Sequence, residues 1–309
     1  MVLNKRGFFF VMLSLLLITF FLLTFTFFSV INDRSAVQKR VATLNGFVSA
    51  LEDDLNRRLF ISGFRIIFLF EEEIVQTGDS LDDIDASFTE LFYQGTLNGV
   101  AHPEVMTGAT FDGIEEGLRM KAEKIGANLS LNNPSAVMYQ EDPWNVRVNL
   151  SADFFVEDLS GLVSWNKTIY AYALIPVEGF GDPVYITNTN SLVFGNITKT
   201  PYNDFVSGGD VSNLLSHAMG PYYVNNSDAP SFLQRFEGDF SADANGIESL
   251  VNLDTLSSLG IGVQQKSVVD HIYFSANNPC SSIVTPSGMP SWFRLDAEHY
   301  VFYEVSGTC

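Results

Sequence analysis

The feature that most constrains this chain is an uncharged run over residues 7–32, which follows directly after Lys5 and Arg6. Its central part, 8–31, is packed with Phe and Leu. As a helix of roughly 24 residues it would reach about 36 Å, because each residue adds about 1.5 Å. A hydrocarbon core of about 30 Å is therefore within its span. We predict a single transmembrane helix over 8–31 and a lipid bilayer as its first partner.

A cleaved secretory signal is the main alternative for this run. Such signals have apolar regions of only about 7 to 15 residues and end in a small-residue cleavage site. Residues 27–31 read Phe-Phe-Ser-Val-Ile and offer no such site. The length and the missing site favour a retained anchor.

The orientation of the anchor is less strongly encoded, since Lys5 and Arg6 before the span are nearly balanced by Arg34, Lys39 and Arg40 after it. Large domains translocate largely regardless of local charge. We therefore expect a single-pass protein of the cell membrane, with a cytoplasmic N-terminus and an extracellular C-terminal head.

The net charge limits which partners the C-terminal head can bind. The formal net charge is −19, with 17 basic and 36 acidic residues. Nucleic-acid partners are excluded on this balance, because phosphate backbones are bound by clustered Lys and Arg. An acidic, water-facing surface is the simplest interpretation.

Two kinds of extracellular modification are predicted. The only cysteines, Cys280 and Cys309, form an even pair near the end of the chain, which suits a disulfide in an oxidising compartment; two free thiols are the alternative. The sequence also contains five Asn-x-Ser/Thr sequons, which permit glycosylation without demonstrating it. Their asparagines are Asn128, Asn149, Asn166, Asn196 and Asn225.

Beyond the span, apolar residues at alternating steps of four and three predict a continued amphipathic helix over 32–76. Such a seam is typical of a coiled coil or of a helix lying against a partner. The seam residues are Val37, Val41, Leu44, Val48, Leu51 and Leu55. Past residue 58 the apolar face broadens, which indicates burial against the head.

The spacing of apolar residues changes near residue 135, from a helical pattern to the alternation typical of strands. Helical spacing predicts helices at 80–94 and 111–125, within a helical region 77–134. Alternating β-branched and aromatic residues then predict strands at 146–150 and 164–172, with further strands at 184–186, 193–194, 272–274 and 299–305. The predicted fold class is α+β: a leader 1–7, the transmembrane helix, the stalk helix, a helical insert, and a mostly antiparallel β head over 135–309.

No motif for catalysis or for a cofactor is evident, and we predict neither an enzyme nor a resident metal. The four histidines, at 102, 217, 271 and 299, are too dispersed for a zinc motif, although distant residues can converge in a fold. Asp270 and His271 with Ser267, or Ser216 with His217, resemble part of a hydrolase triad, but neighbours on a strand would face opposite sides, so Asp270 would not orient His271. Asp239, Asp243 and Glu248 are a weaker option for calcium.

The residues Lys5-Arg6-Gly7-Phe8, with the helix that follows, resemble the start of a type IV pilin. In that family a short basic leader ending in Gly is removed by a prepilin peptidase, and the mature chain begins with a long helix that is apolar first and amphipathic later, carrying an often β-rich head. The resemblance implies cleavage between Gly7 and Phe8. The glutamate common at the fifth mature position is Met12 here, which argues against a major filament subunit. Many archaeal pilin-like proteins lack that glutamate, and the segment 175–183 is similar to membrane-anchored archaeal proteins.

Three functions follow from these patterns. The first is a pilin-like structural subunit or minor pilin, whose partners are other copies or pilin-like subunits bound through the N-terminal helix. The second is a membrane-anchored adhesin or binding module that recognises a glycan or protein, for which Trp144, Trp165 and Trp292 are candidate stacking residues. The third and least favoured is an anchored hydrolase.

Overall fold

The computed structural model describes residues 5–276 and 283–305. The fold is α+β, with a long apolar N-terminal helix and antiparallel sheets. The first half of the chain contains α1 (Lys5–Thr77), α2 (Ile84–Gln94), β1 (Thr96–Leu97), β2 (Val100–Ala101), α3 (Pro103–Met106), α4 (Phe111–Lys124), β3 (Ala127–Asp142) and β4 (Asn145–Asp158). The second half contains β5 (Ser164–Pro176), α5 (Pro183–Asn188), β6 (Thr198–Lys199), α6 (Ser212–Met219), β7 (Tyr222–Asn225), α7 (Phe232–Phe236), β8 (Ile247–Ser249), α8 (Leu253–Ser258), α9 (Asp270–Phe274), β9 (Ile283–Val284) and β10 (Leu295–Asp296).

Helix α1 is one unbroken helix of 73 residues with two different environments. The large apolar side chains between Phe8 and Ile31 are exposed, and this stretch is the one helical segment of the described residues that is long and apolar enough to cross a membrane. Its hydroxyls bond back to the helix; Ser14 Oγ, for example, donates to the carbonyl of Phe10 at 3.0 Å. The apolar N-terminal helix is therefore compatible with a membrane anchor.

The second half of α1 packs on the sheet formed by β3, β4 and β5. Leu44, Val48, Leu51 and Leu55 of the predicted seam are buried, whereas Val37 is half-buried and Val41 is exposed. Further along the helix, Ile66, Ile67 and Phe70 are fully buried, as the broadened apolar face predicted. The part of the seam from Leu44 onward is therefore buried in the protein's own core.

The sheet has the order β3-β4-β5 and is antiparallel throughout. Strand β4 alternates strictly, with its even-numbered residues from 146 to 156 buried beneath α1 and the residues between them at the outer face. The strands predicted at 146–150 and 164–172 are confirmed as parts of β4 and β5. Residue 135, where we placed the change from helical spacing to alternation, lies inside β3, a strand that the sequence analysis did not predict and that begins within the predicted helical region 77–134.

After β5 the chain is built of short helices, turns and small sheets, in contrast to the predicted run of strands. Residues 184–186 lie in α5 and residues 272–274 in α9, while 193–194 and 299–305 are not strands. Apolar triplets of this length do not distinguish a strand from a buried helical turn. In α5 the decisive signal is Asp182-Pro183, since Asp182 caps the helix by accepting from Val184 N at 2.9 Å and Pro183 occupies the first turn. The sheet β6-β7-β8 also contains one parallel pair, β6 with β7.

Candidate metal centre

The strongest concentration of buried charge lies between β8 and α9. Glu248 and Ser249 are neighbours on β8, and Asp270 and His271 are neighbours at the start of α9. Across the interface Ser249 contacts Asp270, and Glu248 contacts His271. The first contact belongs to a cluster around an arginine and the second to a cluster around two histidines.

The arginine cluster is centred on Arg235 of α7, whose side chain is fully buried. Its Nη1 donates to Asp182 Oδ2 at 2.6 Å and to Asp270 Oδ2 at 3.1 Å. Tyr223 Oη donates to Asp182 Oδ2 at 2.8 Å, and Ser249 Oγ donates to Asp270 Oδ2 at 2.7 Å. Burial alone would lower the pKa of Arg235, but the two carboxylates raise it above its usual range. This cluster is a buried ion-pair network that ties α5, α7 and α9 together, in which Arg235 Nε makes no hydrogen bond to the described residues.

The histidine cluster consists of Glu248, His271 and His299. The Nε2 atoms of His271 and His299 lie 3.4 and 3.3 Å from the same oxygen, Oε2 of Glu248. One ligand atom from each of the three residues lies within 4.8 Å of the other two. Glu248 is 0% exposed, His271 7% and His299 3%. Three donors that metal ions prefer are therefore brought to one point inside the head.

A carboxylate on the far side orients His299. Its Nδ1 lies 2.8 Å from Asp296 Oδ1, and Ser267 Oγ donates to the other oxygen of Asp296. Burial alone would lower the pKa of His299, but Asp296 and Glu248 raise it to about 10. Burial alone would likewise raise the pKa of Glu248, yet the two imidazoles hold it below its usual range. The contact from Asp296 directs Nε2 of His299 toward Glu248.

Several buried polar atoms in this cluster have no hydrogen-bond partner in the described part of the chain. They are Glu248 Oε1, His271 Nε2, His299 Nε2 and Tyr303 Oη. Oε2 of Glu248 accepts from Asn226 Nδ2 at 2.8 Å, whereas Oε1 is left unpaired. Burial and the negative charge of Glu248 raise the pKa of Tyr303 well above its usual range. Unsatisfied buried polar atoms are costly, so these atoms mark the cluster as a candidate ligand site.

Sequence reasoning missed this cluster because its members are 23 and 28 positions apart and no short motif contains them. It also placed Glu248 with Asp239 and Asp243, but Asp239 instead accepts from Ser241 within its own turn. The strand expected at 272–274 was wrong, and with it the stated reason why Asp270 does not orient His271. Both residues lie in α9, where Asp270 pairs with Arg235 and His271 faces Glu248.

The remaining histidines and the serine of the suggested triad lie elsewhere. Ser267 bonds to Asp296, and His217 contacts Thr200 through Nδ1 at 3.1 Å. Burial lowers the pKa of His217 to about 4. His102 lies beside Glu104 at the start of α3. The described residues therefore do not bring this serine and these histidines together as nucleophile and base.

The other predicted sites are placed as follows. Gly7 and Phe8 lie in the exposed first turns of α1. Cys280 and Cys309 lie outside the described residues. Four of the five sequon asparagines are exposed, namely Asn128, Asn166, Asn196 and Asn225. Asn149 is half-buried, accepts from Arg147 Nε at 2.8 Å and donates to Tyr139 Oη at 3.2 Å.

Comparisons of the chain with family models, curated proteins and solved structures gave no match.

Proposed function

We propose that the chain is a single-pass, pilin-like surface protein of the cell membrane, with its head outside the cell. The observation that carries the proposal is the division of α1 into two halves. The large apolar side chains of 8–31 are exposed and lie outside the head's core. In the second half of α1, from Leu44 onward, the buried side chains pack into the head's core. This is the two-part helix, apolar first and packing second, that the N-terminal resemblance implies.

The point where α1 leaves the head supports the same proposal. Arg40 donates through Nη2 to the carbonyls of Ile125 and Gly126, at 2.6 and 2.7 Å, and it pairs with Asp158. From Ile31 to Arg40 the helix rises roughly 14 Å. The head therefore starts a short distance beyond the end of the apolar span, close to the membrane surface.

The packing of α1 also restricts how copies would assemble. The buried part of the seam, from Leu44 onward, is covered by the sheet and is not available to another helix. Contacts between copies through α1 would therefore use its exposed side chains, most of which lie in the apolar span between Phe8 and Ile31. Minor pilin or structural subunit is the role we assign, with no catalytic activity.

The mass of the mature protein tests this proposal. We expect the membrane-extracted chain to begin at Phe8 when it is produced together with a prepilin peptidase. Gly7→Val should leave the leader attached, whereas Gly46→Ala, at an exposed glycine farther along the same helix, should leave processing intact. An N-terminus at Met1 in the unsubstituted chain, produced with the peptidase, would rule out the pilin-like role and leave a plain anchor.

A binding module is the second candidate, because the outer face of the sheet carries exposed aromatic residues. Tyr170 is 80% exposed and Tyr172 is 50% exposed, with the Arg147 guanidinium 4.3 Å from the Tyr172 ring centre. The strand register places Tyr170 opposite Ser151 and Tyr172 opposite Asn149, on one surface. Exposed tyrosines beside polar groups are suited to stacking on sugars.

Trp144 and Trp165 do not supply a shared platform for this second candidate, and Trp292 donates through Nε1 to Asp254 Oδ2 at 2.7 Å. Trp165 pairs with Val156, while Trp144 precedes Asn145, the residue opposite Pro176. Eleven residues along a strand separate the two ends, or about 36 Å at about 3.3 Å per residue. Glycan-array binding that Tyr170→Ser abolishes and Tyr202→Ser preserves would support a binding module. Binding unaffected by Tyr170→Ser, or absent from the unsubstituted chain, would remove this surface as a ligand site.

A further inference from the structure

We propose that Glu248, His271 and His299 bind one zinc ion, which fastens the C-terminal part of the head to β8 and α9. The site would be structural, since all three ligands are buried. It is independent of whether the chain is a pilin-like subunit or a plain anchored protein.

The spacing of the donors is the first argument. In zinc sites the metal lies about 2.0–2.1 Å from histidine nitrogen and about 2.0–2.2 Å from carboxylate oxygen. Two ligands of a tetrahedral ion with such bonds are separated by about 3.4 Å. The observed separations between Glu248 Oε2 and the two Nε2 atoms are 3.3 and 3.4 Å. They match a tetrahedral edge and are longer than the usual N–H···O distance of about 2.9–3.0 Å.

The unpaired atoms are the second argument. Beyond their 3.4 and 3.3 Å ion-pair contacts with Glu248 Oε2, His271 Nε2 and His299 Nε2 make no hydrogen bond to the described residues, although both side chains are more than nine-tenths buried. A cation at this point would bind both nitrogens and a carboxylate oxygen of Glu248. The hydroxyl of Tyr303, which likewise makes no hydrogen bond within the described part of the chain, is a candidate partner for a water in the fourth position.

The surroundings of the donors are the third argument. Histidine ligands usually contact a carboxylate through their other nitrogen, which fixes the tautomer and the ring. Asp296 makes this contact with Nδ1 of His299 at 2.8 Å and is itself held by Ser267. Asn226 holds the Glu248 carboxylate in the same way. The ligands are thus oriented by fixed neighbours.

The donor set indicates which metal fits. Imidazole nitrogen suits zinc and other late transition metals, whereas calcium and magnesium take oxygen ligands. Two histidines with one carboxylate also occur at catalytic metals, but those sites keep positions open to substrate. Three ligands that are at least 93% buried favour a closed, structural zinc site.

The structural consequence follows from where the ligands lie. Glu248 lies in β8, His271 in α9 and His299 in the turns that follow β10. One ion would therefore link three segments that are distant in the sequence. A metal that binds only the folded state adds its binding free energy to folding stability.

Metal content of the full chain, purified in detergent, tests the proposal. After exposure to zinc chloride and removal of free metal, we expect one zinc per chain by elemental analysis. His271→Gln should lose the zinc, whereas His102→Gln, at a histidine remote from the cluster, should retain it. Asp296→Asn should keep the three ligands and weaken zinc affinity by about 10- to 100-fold through His299.

A second measurement on the unsubstituted chain avoids dependence on whether a variant folds. Stripping the metal with a chelator should lower the thermal midpoint, and zinc, but not magnesium, should restore it. Zinc content near zero with the same midpoint before and after the chelator would overturn the proposal. The two histidines would then pair directly with Glu248, without a metal ion between them.

Discussion

Gly63 of α1 lies directly against Ile175 of β5: a Cβ atom at Gly63 would lie 2.3 Å from Cδ1 of Ile175 and 2.9 Å from Cγ2 of Val148. Both neighbours are fully buried. The absence of a side chain at this one position is what allows the helix to approach the sheet so closely.

We therefore expect Gly63→Ala to destabilise the head by about 1–3 kcal/mol, because overpacking a closed core costs that much. The better helix propensity of alanine offsets at most about 1 kcal/mol. Gly46→Ala is the matched control, since nothing lies within 4 Å of a Cβ atom there. It should leave stability unchanged or raise it in denaturant unfolding of the detergent-solubilised chain. Equal effects at the two glycines would contradict the close contact.

Arg235→Met should destabilise the head severely. It removes the guanidinium that Asp182 and Asp270 share and leaves two buried carboxylates without a counter-charge. Breaking a buried ion pair from one side costs about 3–5 kcal/mol. Arg119→Met removes an exposed arginine that pairs with Glu116 and Glu123 of its own helix, and it should change stability by about 0.5 kcal/mol or less. Thermal unfolding measures both, and a mild effect of Arg235→Met would argue against the network.

Glu71 should make stability depend on pH. Burial raises its pKa to about 7 from 4.5, although the backbone N–H of Gly181 donates to it. The protonated carboxyl is favoured in the folded state, so its contribution is full below pH 4.5 and is lost as pH rises through 7. The difference corresponds to roughly 3 kcal/mol. Glu71→Gln should remove this dependence between about pH 5 and 8, while Glu72→Gln should keep it; unchanged curves for Glu71→Gln would refute the assignment.

The sequons should not be equivalent if the head is glycosylated outside the cell. The Asn166 side chain is exposed, whereas the Asn149 amide is engaged by Arg147 and Tyr139 within the sheet face. We expect Asn166→Gln to remove one glycan from the intact mass and Asn149→Gln to leave the mass nearly unchanged. A glycan lost with Asn149→Gln would show that modification precedes formation of these hydrogen bonds.

The length of each hydrophobic pattern determined whether the sequence could predict the element that it forms. The apolar run at 8–31 and the alternation in β4 extend over enough residues for one period to dominate, and both form the predicted helix and strand. The triplet 184–186 is too short for that, and its capping residues Asp182-Pro183 decided the outcome instead. Glu248, His271 and His299 carry no pattern at all, since only the packing of β8 on α9 and the closing turns brings them together.

The continuity of α1 has a mechanical consequence. A pull on the head is transmitted along an unbroken helix whose apolar end projects free and whose other end is bonded sideways to a sheet. Load applied along this axis is shared by Arg40, by the ion pair of Lys167 with Glu52 and by the bond from Tyr172 N to Asn56 Oδ1, all at the same time. The junction between α1 and the sheet is therefore loaded in shear, and many contacts must break together before the two separate.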